Sequence, residues 1–255
     1  MIVFSRTGAT TELLRTVSHI KQTTKAKILS VTLTKSNALA DHSDLSINLP
    51  WAYDESVCQT RSVTNLFTVG LLLDAIRGQD DGLMADISSA IDRNEQFKLD
   101  HRAALETIGR KNFSNVVVLA DGPLAGMAEE GALAFIEIAL VSGRFANLLD
   151  YRHGPIVIND KGTLTIVAVQ SDEDKYQPPM IADLKSRGSV VVTVGESDGN
   201  PFDADLHIGT GVVGNFAVMG IYLAYVCQMI ALTQAIENGI NPDQPHGLDL
   251  FISMD

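Results

Sequence analysis

The sequence predicts an α/β fold of two three-layer α/β/α units with parallel sheets, the first of them incomplete. Three observations carry this reading. Short apolar, β-branched runs alternate with helical patterns along the chain. The order of elements near the N-terminus recurs in the second half. One strand of the second half, residues 116–119, has no counterpart in the first.

Ile2-Val3-Phe4 reads as a short buried strand running into a Ser/Thr/Gly loop. A helix follows over residues 10–22, with Leu13, Leu14, Val17 and Ile20 on one face. Residues 28–32 form the next strand, 37–41 a helical turn and 45–49 a third strand. Strand, loop, helix, strand in this order is the unit of a doubly wound parallel sheet. Helices are expected over 60–76, 83–94 and 98–110, the last two separated by a polar break.

The strand at 116–119 is Val-Val-Val-Leu and ends in Asp121-Gly122-Pro123. A long helix over 126–141 comes next. Then come a strand at 164–169, a loop at 170–175, a helix over 179–187, strands at 190–194 and 206–208, and a helix over 213–236. Ser43-Asp44-Leu45 and Ala204-Asp205-Leu206 fall at corresponding places, which reads as an internal duplication. The expected domains are residues 1–95, N-terminally shortened, and 96–255. A sheet short of a strand leaves an edge for a partner to cover.

Composition bounds the function. Of 255 residues, 45% are hydrophobic and 20% charged, as in an ordinary soluble globular protein, and this length buries a core without disulfides. Cys58 and Cys227 lie in apolar helical patterns and read as reduced core thiols of a cytoplasmic protein. No Cys/His cluster has metal-ligand spacing, so no metal is expected from the residues. The net charge of −12, with no basic cluster, excludes a nucleic-acid-binding face. The N-terminus lacks the basic stretch of a secretory signal. The longest apolar run, residues 212–232, is interrupted by Asn215 and Gln228 and reads as a buried helix, not a membrane span.

Three places carry candidate chemistry. The loop Ser5-Arg6-Thr7-Gly8-Ala9-Thr10-Thr11 offers hydroxyls and free N–H groups at a helix start. Gly8 there permits close backbone approach. It is either an anion site or plain Ser/Thr capping. Glu130 and Glu137 lie seven apart on one helix in apolar surroundings. They are either a proton-moving pair with raised pKa or ion-paired, interface carboxylates. His153, before Gly154-Pro155, sits in an exposed turn, available as an acid or base or simply a surface histidine.

Taken together, these stretches resemble the sugar isomerase (SIS) family. The matching segments are Ile2-Val3-Phe4-Ser5-Arg6-Thr7-Gly8-Ala9-Thr10, Glu130-Gly131-Ala132-Leu133-Ala134-Phe135-Ile136-Glu137, Arg152-His153-Gly154-Pro155 and Asn241-Pro242-Asp243-Gln244-Pro245. Their order is that of tandem-SIS phosphosugar isomerases and deaminases, such as the isomerase half of glucosamine-6-phosphate synthase and the AgaS-like proteins. The resemblance covers nearly the whole chain and implies two flavodoxin-like units.

By position, the resemblance implies that Ser5, Arg6, Thr7, Gly8 and Thr10 hold the sugar phosphate. It implies that Glu137 moves a proton between C1 and C2, and that His153, often supplied by the neighbouring subunit, assists ring opening. Glu130 and Ser62 are further substrate-site candidates. A homodimer with shared sites is implied too. The implied reaction is isomerisation, deamination or removal of an amine-linked group, on an amino-sugar or keto-sugar 6-phosphate, and it needs no metal or redox cofactor, because the adjacent carbonyl or imine activates the C–H acid.

The sequence departs from the synthase-type pattern at three positions. Ala134 and Leu250 stand where lysines are usual, and Asp121 where an arginine is usual. The family's second phosphate loop would belong to a segment before Met1. The acidic loop Gln170-Ser171-Asp172-Glu173-Asp174 would repel a phosphate, so the second unit is not expected to bind one. Two other readings stand beside the enzyme: a non-catalytic, sugar-phosphate-binding regulatory protein, and a shortened, inactive remnant.

Overall fold

The computed structural model describes residues 1–170, 175–212 and 214–247. Three sequence expectations lie outside these residues: the acidic loop 171–174, Val213 as a helix start, and Leu250. The chain divides into two compact units, Met1–Val69 with His246 and Gly247, and Gly70–Pro245.

The first unit holds a parallel three-stranded sheet, ordered β1 (Ile2–Ser5), β2 (Leu29–Thr32), β3 (Leu45–Asn48). Ile2 pairs with Leu29 and Leu29 with Leu45. Helix α1 (Thr11–Thr23) connects β1 to β2. It packs Leu13, Leu14 and Val17 against Val3, Ile28 and Leu39, the expected apolar face. Full burial of a side chain such as Val17 contributes about 1.5–3 kcal/mol. A short helix α2 (Ala38–Asp41) precedes β3. A 3-10 turn, Pro50–Ala52, follows β3 and carries the exposed Trp51, the sole tryptophan of the sequence. Helix α3 (Arg61–Gly78) comes after it.

The second unit begins at Gly70, within α3, and continues through α4 (Asp81–Gly109), β4 (Asn115–Leu119), α5 (Ala125–Ala139) and β5 (Ser142–Ala146). Then follow α6 (Leu148–Arg152), β6 (Thr163–Ala168), α7 (Gln177–Ser186), β7 (Val190–Gly195), β8 (Leu206–Gly209) and α8 (Gly220–Glu237). All five strands are parallel, in the order β5-β4-β6-β7-β8. This is the flavodoxin order 2-1-3-4-5, which reverses direction between β4 and β6. Every residue of the central strand β6 is buried. One face of the sheet packs Val117, Leu119, Val167 and Val191 against Leu148, Tyr151, Met180 and Ile181. Helix α8 packs against both α4 and α5.

Three elements differ from the sequence expectation, among them the short helix α6, which falls where only a turn is expected. The helices expected at 83–94 and 98–110 are one helix, α4, because Asn94-Glu95-Gln96 is polar without being a breaker. Leu83, Ile87, Ala90, Phe97 and Leu105 keep one buried stripe through it. The expected domain boundary after residue 95 lies inside this helix. Strand β5, Ser-Gly-Arg-Phe-Ala, went unread because it lacks the β-branched run of a central strand; it occupies an edge. The apolar stretch 216–237 is long enough to cross a bilayer, and most of it is buried in the second unit.

The two units share a local hydrogen-bond pattern. In the first, the Ile28 N–H donates to the Asp44 carboxylate at 2.9 Å, and the Asp44 N–H returns to the Ile28 carbonyl at 2.9 Å. In the second, the Val191 N–H donates to Asp205 at 2.8 Å, and the Asp205 N–H returns to Val191 at 2.9 Å. Two residues further along each strand, Ser30 meets Ser46 and Thr193 Oγ1 meets His207 Nδ1, both at 2.8 Å. The N–H bond from Ile28, and then Lys27, hold the Asp44 carboxyl below its ordinary range.

Candidate functional site

The loop after β1 is shaped by its own polar groups. Ser5 Oγ accepts from the Gly8 N–H at 3.0 Å, and Thr7 Oγ1 from the Ala9 N–H at 3.2 Å. Gly8 has φ +66°, and a Cβ there would stand 2.4 Å from Asn37 Oδ1. The position therefore admits glycine on both backbone and packing grounds. Asn37 itself donates to Thr32 Oγ1 at 2.9 Å and caps α2 through Ala40 at 2.9 Å.

The hydrogen bonds of α1 begin with the Leu14 N–H donating to the Thr10 carbonyl at 3.1 Å. The N–H groups of Thr11, Glu12 and Leu13 therefore have no acceptor within the helix. The Thr10 hydroxyl makes no capping bond. An open cleft of about 740 Å³ lies there, lined by Ser5, Arg6, Thr7, Thr10, Glu12 and Gln59 among others. First-turn N–H groups, hydroxyls and the helix dipole together suit an oxyanion. Glu12 is the one carboxylate among the lining groups.

The segment after β3 supports that cleft. Arg6 is buried, and its guanidinium donates to the carbonyls of Ser56 (2.9 Å) and Val57 (3.2 Å) while lying over the Tyr53 ring. The buried Asp54 carboxylate accepts from the N–H groups of Thr60 and Ser62, both at 2.9 Å, and so caps α3. Ser62 is fully buried, and its hydroxyl donates to Gln59 Oε1 at 3.4 Å. Ser62 thus reaches the cleft through Gln59. Sequence reasoning passed over Gln59 and Asn37; nothing in their local spacing marks them, since strand order brings them to the loop.

Glu130 and Glu137 project from α5 in the second unit, two turns apart, both half-buried. Burial, and then the negative charge of Glu137, push the Glu130 carboxyl up to about 7. Glu130 lines a cleft of about 510 Å³ with Leu133, Ile136, Arg144 and Phe145. On the facing helix α8, Cys227 is buried; burial and then the charge of Glu130 hold its thiol far above the ordinary range. Ala134, also on α5, is buried. Asp121 acts locally, its carboxylate accepting from the Leu148 N–H at 3.1 Å, at the start of α6.

His153 follows the last residue of α6 and is exposed, its N–H donating to the Asp150 carbonyl at 3.0 Å. Gly154 has φ +150°, and Pro155 opens a 3-10 turn. The structure thus gathers Ser5, Arg6, Thr7 and Thr10 around one cleft of the first unit. Glu130 and Glu137 share a helix of the second unit, and His153 caps another. Among the described residues, no group of three or more His, Cys, Asp or Glu is placed to hold a metal ion.

No family model matches the chain. It is 29% identical over 200 residues to the D-galactosamine-6-phosphate deaminase AgaS of Shewanella sp. (strain ANA-3), covering 76% of this chain and 48% of that protein. It is 24% identical over 259 residues to the isomerizing glutamine–fructose-6-phosphate aminotransferase of Sulfolobus acidocaldarius, covering all of this chain and 42% of that protein. The chain spans about half the length of the curated relatives it matches. In fold it is similar to glucosamine-6-phosphate deaminase from Thermotoga maritima, with TM-score 0.85 and 28% identity, over 98% of this chain and 74% of that one. It is also similar to tagatose-6-phosphate ketose/aldose isomerase from Escherichia coli, with TM-score 0.73 and 22% identity, over all of this chain and 72% of that one. The relatives and structural neighbours are SIS-domain phosphosugar isomerases and deaminases.

Proposed function

We propose that this protein binds an amino-sugar or keto-sugar 6-phosphate and catalyses its isomerisation or deamination. The observation that carries the reading is the cleft at the start of α1. There Ser5, Thr7 and Thr10 surround three N–H groups with no acceptor in the helix. A phosphate dianion is the ligand whose charge and oxygen count suit that arrangement. The names of the relatives, each an enzyme of a sugar 6-phosphate, support the same class.

In this reading Glu137 takes a proton from the carbon beside the sugar carbonyl or imine and returns it to the neighbouring carbon. Burial, and then the charge of Glu137, let Glu130 hold its own proton up to near neutrality. His153 serves the ring oxygen.

The finer architecture belongs to the same proposal. The chain is a tandem of related units. The first is a three-stranded version of the five-stranded second. The recurrence of the Ile28–Asp44 geometry in Val191–Asp205 supports the duplication. The protein works in the cytoplasm as a homodimer, without nucleic acid or membrane as partner. The exposed stripe of Leu133 and Ile136 on α5, with Leu140 just past its end, supports a covering copy.

The test is turnover. Incubation with glucosamine 6-phosphate, galactosamine 6-phosphate and fructosamine 6-phosphates should release ammonia or amine, or yield the isomer. Glu137→Gln should abolish this and leave sugar-phosphate binding nearly intact. Tight binding with no turnover by the unaltered protein would replace the enzyme with a sugar-phosphate sensor.

A further inference from the structure

The turn carrying His153 is fastened on both sides by one buried polar network. Two residues before the histidine, Tyr151 is fully buried, and its hydroxyl donates to Asn159 Oδ1. Six residues after it, Asn159 is buried as well. Its amide donates to Thr165 Oγ1 on β6 at 2.9 Å and to Ser189 Oγ, just before β7, at 2.7 Å. The Asn159 side chain thus uses its acceptor once and its donor twice, inside the protein.

The rest of the excursion is held as firmly. Leu148, Tyr151 and Ile156 belong to the core cluster under the sheet. Arg152 forms an ion pair with Asp183 of α7 at 2.6 Å. His153, Gly154 and Pro155 form the exposed tip between these anchors. A buried network with every member satisfied fixes one geometry, because any displacement leaves polar groups without partners in a dry interior. Burial also keeps the Tyr151 phenol above its ordinary range, hence a donor at all working pH values.

We propose that Tyr151 and Asn159 are positioning residues, whose buried hydrogen bonds to β6 and to Ser189 set where the His153 imidazole stands. The proposal rests on the reading of His153 as the ring-oxygen group. It extends that reading from the residue to its mounting. Tyr151 and Asn159 touch no substrate; they act through the turn.

Two variants separate positioning from packing. Tyr151→Phe keeps the ring in the core and removes one donor. Asn159→Leu removes the whole hub, and its folding is checked by its melting temperature. The readouts are kcat and KM with the best substrate from the turnover test, and the 13C-labelled imidazole signal of His153, identified by its loss in His153→Asn. Tyr151→Phe should lower kcat by about tenfold or more with KM nearly unchanged, because misplacement acts on the step and not on phosphate binding. It should also move the His153 signal. A lower melting temperature with kcat and the His153 signal both unmoved would overturn the proposal. Full turnover by His153→Asn, with the signal still moved by Tyr151→Phe, would keep the mounting and remove the catalytic role of His153 alone.

Discussion

The guanidinium of Arg6 donates to the Ser56 carbonyl at 2.9 Å, tying the first loop of the chain to the segment after β3. A residue expected to hold the ligand is thereby engaged in holding the wall of the ligand cleft. Arg6→Met should cost about 2 kcal/mol in urea unfolding, the scale of hydrogen bonds to a charged group. It should also weaken inorganic phosphate binding by calorimetry. Unchanged stability with lost phosphate binding would return Arg6 to direct ligand contact.

Thr10 tests the cleft without touching the fold. Its hydroxyl caps nothing, so Thr10→Val should leave the melting temperature where it is. Sugar-phosphate affinity should fall about tenfold, the worth of one hydrogen bond to a charged ligand. The same variant binding as tightly as wild type would empty the cleft of its proposed role.

Glu130 predicts a pH dependence of stability. Its carboxyl rises from 4.5 to about 7 on folding. Between those values the folded protein keeps a proton that the unfolded chain releases. Stability from this group is therefore full below pH 4.5 and is lost as pH rises towards 7, by about 3 kcal/mol in all. Glu130→Gln carries no such titration. Unfolding free energies of variant and wild type, compared at pH 4.5 and pH 8, should diverge by about that amount in favour of the variant at pH 8. Parallel curves would contradict the burial of this carboxylate.

Gly8 and Gly154 both lie at positive φ but differ in their surroundings. A Cβ on Gly154 meets nothing within 4 Å, whereas one on Gly8 meets the Asn37 side chain at 2.4 to 2.8 Å. Gly154→Ala should cost about 1–2 kcal/mol from backbone strain alone. Gly8→Ala should cost more, since Asn37 must also move and its cap on α2 with it. Equal losses by chemical denaturation would refute the packing half of the argument.

The sequence made the regular elements legible because burial on both faces leaves its mark on residue choice. The Val-Val-Val-Leu of β4 and the apolar face of α1 are such marks. Edge strand β5 needs less of that mark, and Ser142-Gly143-Arg144 did not carry it. The loop Ser5–Thr11 could be read from a run of hydroxyls and glycine that are neighbours in the chain. Gln59 could not, because it arrives at the loop through the parallel order of β1, β2 and β3. Ser62 was legible only as a resemblance. Its buried hydroxyl, spent on Gln59, depends on Asp54 turning the chain into α3. The polar hub at Asn159 was equally silent, since a lone asparagine before Asp160-Lys161-Gly162 reads as a turn.

Trp51, exposed in the turn after β3, has an optical consequence. With no second tryptophan in the chain, indole emission reports on the first unit and is blind to the unit that carries Glu137 and His153. Circular dichroism, by contrast, follows the helices of both. Denaturation traced by the two signals at once would superimpose if the halves melt as one body and separate if they do not. One aromatic ring thus turns a question about cooperativity into a reading on a fluorimeter, with no label attached.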